Sequence, residues 1–397
     1  MARIVLAYSG GLDTSVAIDW LRRERGFEVI AFAADLGQGK ELEPLKARAL
    51  KTGAVEAIIV DLRERFVREF ILPALKANAI YENGYVLSTA LGRPLIASEL
   101  VRIARERRCE YIAHGCSGKG NDQVRFEAVA ASLAPELKVV APLREWQFRT
   151  REEEIEYAER HGIEVPVRRE SPYSIDRNLW GISIECGDLE DPWVAPPRDA
   201  YLVTTAPEDA PDRPEELEIT FEAGVPVALN GTRMEPMAII ERLNEVGGAH
   251  GVGRSDLVED RVVGIKSREI YEAPAATILI AAHRGLEEIT LSKQVLRTKE
   301  LLSQRFAELI YEGLWYTDLR EALSAFFEVT QRYVAGDVRV RLYKGTCTVL
   351  GRRSPYSLYD RSLATYGEGD RFKHSAAPGF LEIWNMPLRA EASRRRA

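Results

Sequence analysis

The sequence has few cysteines, and their spacing is unlike that of a disulfide scaffold or a metal cluster. Its 397 residues include four, Cys109, Cys116, Cys186 and Cys347. They form no CxxC pair, and no histidine lies near them at a zinc-ligand spacing. We therefore expect reduced thiols, as in cytoplasmic proteins, and neither a disulfide framework nor a metal cluster.

Long apolar runs are also missing. No stretch of about 18 apolar residues is present that could span a bilayer. The first residues carry one basic side chain and a short apolar run that leads directly into a glycine-rich loop, which is unlike a signal peptide. We expect a cytoplasmic protein without a membrane segment.

The chain has fewer basic than acidic residues: 54 Lys and Arg against 61 Asp and Glu give a formal net charge of -7. A net negative charge disfavours binding to the phosphate backbone of a nucleic acid, although a local basic patch could still bind one. We expect small-molecule partners and no nucleic acid. The 46% hydrophobic content and the length suit a globular protein of two domains.

The N-terminal part alternates short apolar runs with amphipathic helical stretches at 14–25 and 98–108. Unbroken β-branched runs are typical of parallel strands that are buried on both faces. This pattern predicts a doubly wound α/β domain, with ligands at the loops that follow the carboxyl ends of the strands. The predicted strands are 2–8, 28–35, 55–62, 110–115 and 137–143.

Beyond residue 162 the sequence becomes proline-rich and less periodic up to about residue 215, which indicates a domain junction. The segments 215–231 and 337–353 alternate with period two around glycine turns and predict antiparallel hairpins. An apolar stripe over 292–313 predicts a long helix for core or subunit packing. The second part is thus α+β. The predicted domains are 1–165, 166–370 and a C-terminal arm at 371–397.

The loop after the first strand, AYSGGLDTS at 7–15, has the composition of an anion site. Gly10 and Gly11 permit a tight turn with uncovered N–H groups, and hydroxyl side chains follow at a helix start near Thr14. It is not a Walker loop, because Asp13 stands where that motif has lysine.

Asp13 needs an explanation, because a carboxylate repels a polyphosphate. Two explanations stay open: a magnesium ion bridges them, or Asp13 caps backbone amides. A plain strand–helix turn with a good N-cap would also use these residues.

A second glycine-rich loop, HGCSGKGNDQVRFE at 114–127, follows the fourth predicted strand. Its lysine and glycines suit a phosphate but fail the Walker spacing. Asn121 and Arg125 lie four apart on one helical face. Arg125 would clamp a carboxylate with two hydrogen bonds, or would pair with a surface glutamate; the loop alone does not decide.

The form Ser-Gly-Gly-x-Asp-Thr resembles the pyrophosphate loop of the N-type ATP pyrophosphatases. Four longer segments make the resemblance more specific. Along nearly its whole length the chain resembles the argininosuccinate synthase family. These segments are 114–127, SPYSIDRNLWGISIECG at 171–187, EVGGAHGVGRSDLVEDRVVGIKSREIYEAP at 245–274 and LYKGTCTVLGRRSPYSLYD at 342–360.

The resemblance implies an ATP-dependent ligase of arginine biosynthesis and the urea cycle. In that family the ureido oxygen of citrulline attacks the α-phosphate of ATP, pyrophosphate leaves, and the amine of aspartate displaces AMP. The resemblance further implies a synthetase role for the α+β domain and a homotetramer. Magnesium, held through the ATP phosphates with Asp13 as a candidate ligand, is our inference from the loop itself.

The resemblance also implies the site residues. ATP would be bound by Ala7, Tyr8, Ser9, Gly10, Gly11, Leu12, Asp13, Thr14, Ser15, Ala34 and Gly115. Aspartate would be bound by Ser117, Asn121 and Asp122. Citrulline would be bound by Tyr85, Asn121, Arg125, Ser174, Ser183, Glu259 and Tyr271.

These residue types suit the charged groups of citrulline and aspartate. Arg125 can take the α-carboxylate of citrulline and Glu259 its ammonium. Asp122 would orient the aspartate amine or remove its proton, or else serve only as a helix N-cap. Without the resemblance, Glu259 would be a solvated charge, and the tyrosines Tyr85 and Tyr271 would be packing residues.

The chain departs from the family pattern at two places. Cys116 and Ser117 stand where many relatives have Ala-Thr, which keeps a hydroxyl in the aspartate site. Ala90 stands where some relatives have a serine that contacts citrulline, so that contact is absent.

Three other functions share parts of this pattern. A tRNA-modifying, adenylating sulfurtransferase would need a reactive cysteine pair and a basic RNA face, which scattered cysteines and an acidic balance disfavour. An amidotransferase would need a glutaminase domain. A nucleotide sensor without catalysis remains open, although two loops suited to carboxylates argue against it.

Overall fold

The computed structural model describes residues 1–39, 42, 44–164 and 172–396. By compactness it has two units, Met1–Pro355 and Tyr356–Ala397. The predicted boundary between residues 165 and 166 lies outside the described residues.

The first unit begins with a parallel five-stranded sheet, which confirms the predicted α/β class. Its strand order is β3-β2-β1-β4-β5. Successive side chains of a strand point to opposite faces, so Val5 enters one apolar core while Ile4 and Leu6 enter another. Burial on both faces explains why the strands appear in the sequence as unbroken apolar runs. The strands are β1 Arg3–Ala7, β2 Glu28–Asp35, β3 Glu56–Asp61, β4 Tyr111–Ala113 and β5 Lys138–Val140.

Helices cover this sheet. The first begins at Leu12, two residues before the predicted start, because extended Gly11 ends the loop without a side-chain cap. The helix predicted at 98–108 is the second half of a longer one that starts at Ser88. The helices are α1 Leu12–Arg23, α2 Leu45–Thr52, α3 Arg63–Phe66, α4 Leu72–Ala77, α5 Ser88–Glu106, α6 Asn121–Leu133, α7 Pro142–Glu145 and α8 Arg151–Arg160, with a π turn at Val67–Ile71 between α3 and α4.

Two antiparallel sheets follow, and they confirm the predicted hairpins at 215–231 and 337–353. One has the order β11-β12-β7-β6 and the other β10-β9-β8-β13-β14. The strands are β6 Ser174–Asn178, β7 Gly181–Glu185, β8 Glu215–Glu222, β9 Val225–Leu229, β10 Thr232–Arg233, β11 Arg254–Asp260, β12 Lys266–Glu272, β13 Gly336–Tyr343 and β14 Thr346–Arg353.

The four-stranded sheet aligns polar residues that the sequence keeps far apart. Ser183 on β7 pairs with Tyr271 on β12 and with Asp176 on β6. Four helices follow in this part of the chain: α9 and α10 pack against the sheets, while α11 and α12 pack against each other and against α4, and α11 ends beside this region. They are α9 Pro236–Ala249, α10 Pro274–Thr290, α11 Lys293–Tyr311 and α12 Asp318–Gln331, with short 3-10 turns at Gly187–Glu190 and Arg198–Ala200.

The second unit is helical. It contains α13 Arg361–Ala364, α14 Ala377–Trp384 and α15 Met386–Arg394, with a 3-10 turn at His374–Ala376. Its apolar side chains Phe380, Ile383 and Trp384 are each more than half exposed. Nowhere in the described parts of the chain is a helix both long and apolar enough to cross a membrane.

Candidate functional site

The loop between β1 and α1 has a fixed shape. Gly10 has a φ of 80°, and a Cβ there would lie 2.1 Å from Leu45 Cδ2, so the position needs glycine. Arg48 Nη1 donates to the Gly10 carbonyl at 3.0 Å. The hydroxyls of Ser9 and Thr14 are 3.0 Å apart. A preformed loop of glycines and hydroxyls at a helix N-terminus suits an anion.

The second glycine-rich loop lies against the first. A Cβ on Gly115 would come within 2.6 Å of Thr14 Cγ2. His114 holds this loop: its Nδ1 accepts from the Cys116 N–H at 3.3 Å, and its Nε2 lies 3.3 Å from Glu127 Oε1. The loops after β1 and β4 therefore meet at one edge of the parallel sheet, as predicted for adjacent strand ends.

Cys116 does not have the surroundings of a reactive thiol. Burial raises the pKa of its thiol well above the usual range, and the nearby Asp122 charge raises it further. A thiol that stays protonated is a poor nucleophile and a poor redox centre.

Asp13 is not the N-cap of α1, since Gly11 holds that position and no side chain of the described residues makes the capping hydrogen bond. Instead, its carboxylate faces Glu154 on α8. Burial raises the Glu154 pKa to about 8, and the charge of Asp13 adds to the effect. The Glu154 Oε2 atom is buried and has no hydrogen-bond partner among the residues that the structure describes. Two neighbouring carboxyls, one with a free oxygen, are a donor set suited to a hard cation such as Mg²⁺.

Arg125 on α6 is buried, with 3% of its surface exposed. Its Nε donates to the Tyr311 carbonyl at 2.9 Å and its Nη1 to Asp122 Oδ1 at 2.9 Å. Its Nη2 is buried and finds no hydrogen-bond partner in the described part of the chain. Arg125 therefore pairs with Asp122 rather than with a surface glutamate, and it keeps one amino group free for a ligand's carboxylate.

Asp122 lies between two guanidinium groups. Arg93 Nε donates to its Oδ2 at 2.7 Å, and Arg93 also pairs with Asp176. Burial alone would raise the Asp122 pKa, but Arg93 and Arg125 hold it below its usual range. An ionised carboxylate that accepts hydrogen bonds from two guanidinium groups is a weak base, which favours an orienting role for Asp122. Gly120, and not Asp122, is the N-cap of α6.

Tyr311, at the end of α11, connects the charged groups of the site. Its hydroxyl donates to Glu259 Oε1 at 2.7 Å and accepts from Asn121 Nδ2 at 2.8 Å. Its ring lies 5.0 Å from the Arg125 guanidinium carbon. One side chain thus fixes an anionic group, an amide and a cationic group relative to each other.

Glu259 on β11 is 1% exposed, so the interpretation as a solvated surface charge is wrong. Its second oxygen accepts from the Tyr271 hydroxyl at 2.7 Å. Tyr85 stacks on Tyr271 with 4.2 Å between ring centroids, and burial raises the Tyr85 pKa to about 12. Ser183 bonds to Thr89 at 2.8 Å between hydroxyl oxygens. Six predicted residues, Tyr85, Asn121, Arg125, Ser183, Glu259 and Tyr271, therefore line one connected region.

Three predicted residues are less tightly connected. Ser174 is exposed at the start of β6, opposite Glu185. Ser117 is exposed in the second loop. Ala34, near the end of β2, is 6% exposed, and its carbonyl accepts from Gln38.

Sequence reasoning missed Arg93, Asp176 and Tyr311. Asp176 lies in the segment 171–187, which carries the family resemblance, and Arg93 follows Tyr85 in the chain, but no local pattern marks either residue as a partner of Asp122. Tyr311 closes an amphipathic helix, and no local pattern marks it either. The nearest hint is Gly313, where a Cβ would lie 2.6 Å from Arg125 Cα.

Two family models match the chain. The model of the arginosuccinate synthase N-terminal HUP domain matches residues 3–164. The model of the arginosuccinate synthase C-terminal domain matches residues 173–391. Together they span both the sheet edge that carries the glycine loops and the elements that carry Glu259 and Tyr311.

Individual relatives match over nearly the full length. An argininosuccinate synthase of Chlorobium phaeobacteroides (strain BS1) is 59% identical over 98% of this chain and 96% of its own. One of Pelotomaculum thermopropionicum is 54% identical over 99% of this chain and 98% of its own. Among solved structures, the U34-tRNA thiolase NcsA from Methanococcus maripaludis with its [4Fe-4S] cluster is 16% identical, covering 43% of this chain and 60% of its own, and its TM-score of 0.28 carries no argument.

Proposed function

The chain belongs to the argininosuccinate synthase family, and we propose how its residues bind the three substrates of that reaction. The reaction is the ATP-dependent condensation of L-citrulline with L-aspartate, a step of arginine biosynthesis. It passes through a citrullyl-adenylate and releases AMP and pyrophosphate. The alternative of a tRNA-modifying sulfurtransferase is not favoured, because both family models and the full-length relatives are those of argininosuccinate synthase.

We propose that the region around Tyr311 is the citrulline pocket. One observation is the main support for this assignment. Tyr311 contacts both the buried Arg125, which has an amino group without a partner among the described residues, and the buried Glu259. Citrulline is a zwitterion, so its α-carboxylate would bind Arg125 Nη2 and its ammonium would bind Glu259. Tyr85, Asn121, Ser174, Ser183 and Tyr271 would provide the other contacts.

Aspartate would bind beside Asp122, together with Ser117 and Asn121. Because Arg93 and Arg125 keep Asp122 ionised, its role would be to hold and orient the ammonium of aspartate. The proton of the attacking amine would then leave to another acceptor. The protein contributes chiefly position and charge, since attack on a phosphorus centre needs no side-chain nucleophile.

ATP would lie on the two glycine loops, with residues 7–15 around the departing pyrophosphate and Gly115 and Ala34 as further contacts. The meeting of both loops at one sheet edge supports this placement. Mg²⁺ would accompany the phosphates and neutralise their charge, and Asp13 would hold it, because a carboxylate oxygen is a ligand that Mg²⁺ prefers.

At the level of the whole chain, we propose a cytoplasmic homotetramer that serves arginine synthesis and the urea cycle. The exposed apolar side chains of α14 support subunit contacts. We also keep the domain division at 1–165, 166–370 and 371–397 as a proposal.

The proposed function is tested by incubating the protein with ATP, Mg²⁺, citrulline and aspartate and by following AMP and pyrophosphate. Release of both should require citrulline, and argininosuccinate should appear in equal amount when aspartate is present. Pyrophosphate release that does not depend on citrulline would contradict the proposal. An Arg125→Ala variant should lose citrulline use first, because it removes the carboxylate ligand.

A further inference from the structure

Two carboxyl groups meet at one phenol oxygen in the citrulline pocket. The Tyr271 hydroxyl oxygen lies 2.7 Å from Glu259 Oε2 and 3.0 Å from Glu269 Oε2. Glu269 lies on β12, two residues before Tyr271 and therefore on the same face of the strand. The family resemblance implies no role for Glu269.

The number of protons decides how these groups are charged. A tyrosine hydroxyl has one proton to donate. Both oxygens of Glu259 accept from phenols, Oε1 from Tyr311 and Oε2 from Tyr271, which is the pattern of an ionised carboxylate. The Tyr271 proton is then used, so the 3.0 Å contact to Glu269 is a full hydrogen bond only if Glu269 itself carries a proton and donates it to the Tyr271 oxygen.

The surroundings of Glu269 also favour the protonated form of its carboxyl group. Its side chain is 13% exposed. The charged groups that face this cluster are Glu259 from β11, Glu185 from β7, Arg261 from the turn after β11 and Asp122 from α6. Arg261 is the single cation among them that contacts Glu269, at 3.2 Å between Nη2 and Oε1, and it is shared with Glu185.

Arg261 is therefore shared between Glu185 and Glu269, while Arg93 and Arg125 pair with Asp122. Burial, and then the charges of Glu259 and Glu185, raise the Glu269 pKa to about 8. A carboxyl with that pKa is mostly protonated at neutral pH, and it ionises once a new cation arrives beside it.

We propose that Glu269 is a second carboxyl of the citrulline ammonium pocket, which holds a proton while the pocket is empty and releases it to solvent when the ammonium binds beside Glu259. This inference rests on the proposed citrulline site. The ionised pair would then offer the ammonium two carboxylates, which selects for a free α-amino group.

The direction of the pH dependence follows from the released proton. If binding releases one proton, raising the pH favours binding, by up to about tenfold per pH unit. This increase in citrulline affinity ends near pH 8, where Glu269 of the free enzyme loses its proton even when no citrulline is bound. The KM for citrulline should therefore fall as the pH rises from 6 to 8.

The test measures the KM for citrulline at saturating ATP and aspartate from pH 6 to 8. We expect a fall of about tenfold or more for the native enzyme. Glu269→Gln should change less than about twofold over the same range, because glutamine keeps the shape and cannot ionise. Glu300→Gln, the same change at an exposed position of α11, should follow the native profile.

A second measurement needs no variant. Calorimetric titration of the native enzyme with citrulline, with a non-hydrolysable ATP analogue present, in two buffers of different protonation enthalpy should show release of close to one proton at pH 7. No release, or an unchanged pH slope in Glu269→Gln, would overturn the inference while citrulline-dependent activity still supported the proposed function. Pyrophosphate release that is independent of citrulline would overturn both.

Discussion

At the scale of single residues, the loss of the Tyr311 hydroxyl should affect citrulline binding more than ATP binding. It donates to Glu259 and accepts from Asn121, while the backbone carbonyl of Tyr311 holds Arg125. Tyr311→Phe removes the hydroxyl and keeps the ring and the carbonyl. A hydrogen bond to a charged group contributes about 1.5–3 kcal/mol, so the KM for citrulline should rise about tenfold or more.

Steady-state kinetics with each substrate varied in turn would measure this effect. The KM for ATP should change less than about twofold, since Tyr311 has no hydrogen bond, among the described residues, to residues 7–15 or to Gly115. Tyr366→Phe, at a fully exposed tyrosine, is the matched control and should behave as the native enzyme. An unchanged KM for citrulline in Tyr311→Phe would show that this hydroxyl does not position the pocket.

Glu154 gives a residue-scale prediction about stability. Its folded pKa of about 8 lies above the value of about 4.3 for a free glutamate, so folding favours the protonated form. That contribution is complete at low pH and is lost as the pH rises through 8. Since Glu154 is partly exposed, we expect a loss of the order of 1 kcal/mol between pH 6 and pH 9.

Glu154→Gln should lack this loss. Chemical denaturation of the ligand-free protein at pH 6 and pH 9 would measure it, with Glu152→Gln as the control from the same first turn of α8, because Glu152 is exposed. If both variants lose stability with pH as the native protein does, the Asp13–Glu154 repulsion is not a source of the loss.

At the scale of secondary-structure elements, a buried polar network joins four helices behind the pocket. Asn78 at the end of α4 and Gln331 at the end of α12 each donate to Glu287 on α10, at 2.6 and 2.7 Å. Lys299 on α11 forms an ion pair with Glu287 at 3.1 Å, and both side chains are about 3% exposed. His283 bonds to the same two amides. This network fixes the helix that ends at Tyr311.

Glu287→Gln should therefore destabilise the fold strongly. It leaves the Lys299 charge buried without an anion, which costs about 3–5 kcal/mol. Glu288→Gln is the neighbouring control: Glu288 is exposed and pairs with Arg352, so its loss should cost less than about 1 kcal/mol. Urea unfolding of both variants measures the difference, and equal midpoints would show that the buried pair does not stabilise this helix packing.

The elements differ in how well the sequence predicts them, for a physical reason. The parallel strands and both hairpins follow from local patterns of apolar residues, and they were predicted. The pairing of β12 with β7, which sets Tyr271 opposite Ser183, joins segments about 90 residues apart that no local pattern links. Contacts of this kind place Tyr311 and Glu269 in the pocket, and these two are among the residues that the sequence did not reveal, with Arg93 and Asp176.

At the scale of the whole molecule, the two ligand regions belong to different kinds of structure. The glycine loops follow the parallel sheet, where local composition predicts an anion site. The amino-acid pocket takes groups from α5, α6, α11 and the four-stranded sheet, all within the unit Met1–Pro355. Its residue types were available in the sequence, but the family resemblance was needed to single out Glu259 and Tyr271 from ordinary surface and packing residues.

The central claim is that this molecule activates the ureido oxygen of citrulline on the α-phosphate of ATP. It is tested most directly by supplying citrulline labelled with ¹⁸O in the ureido group, together with ATP, Mg²⁺ and aspartate, and by analysing the products with mass spectrometry. The proposed mechanism predicts one ¹⁸O atom in the phosphate of AMP and none in pyrophosphate. AMP without the label, or label in pyrophosphate, would contradict it.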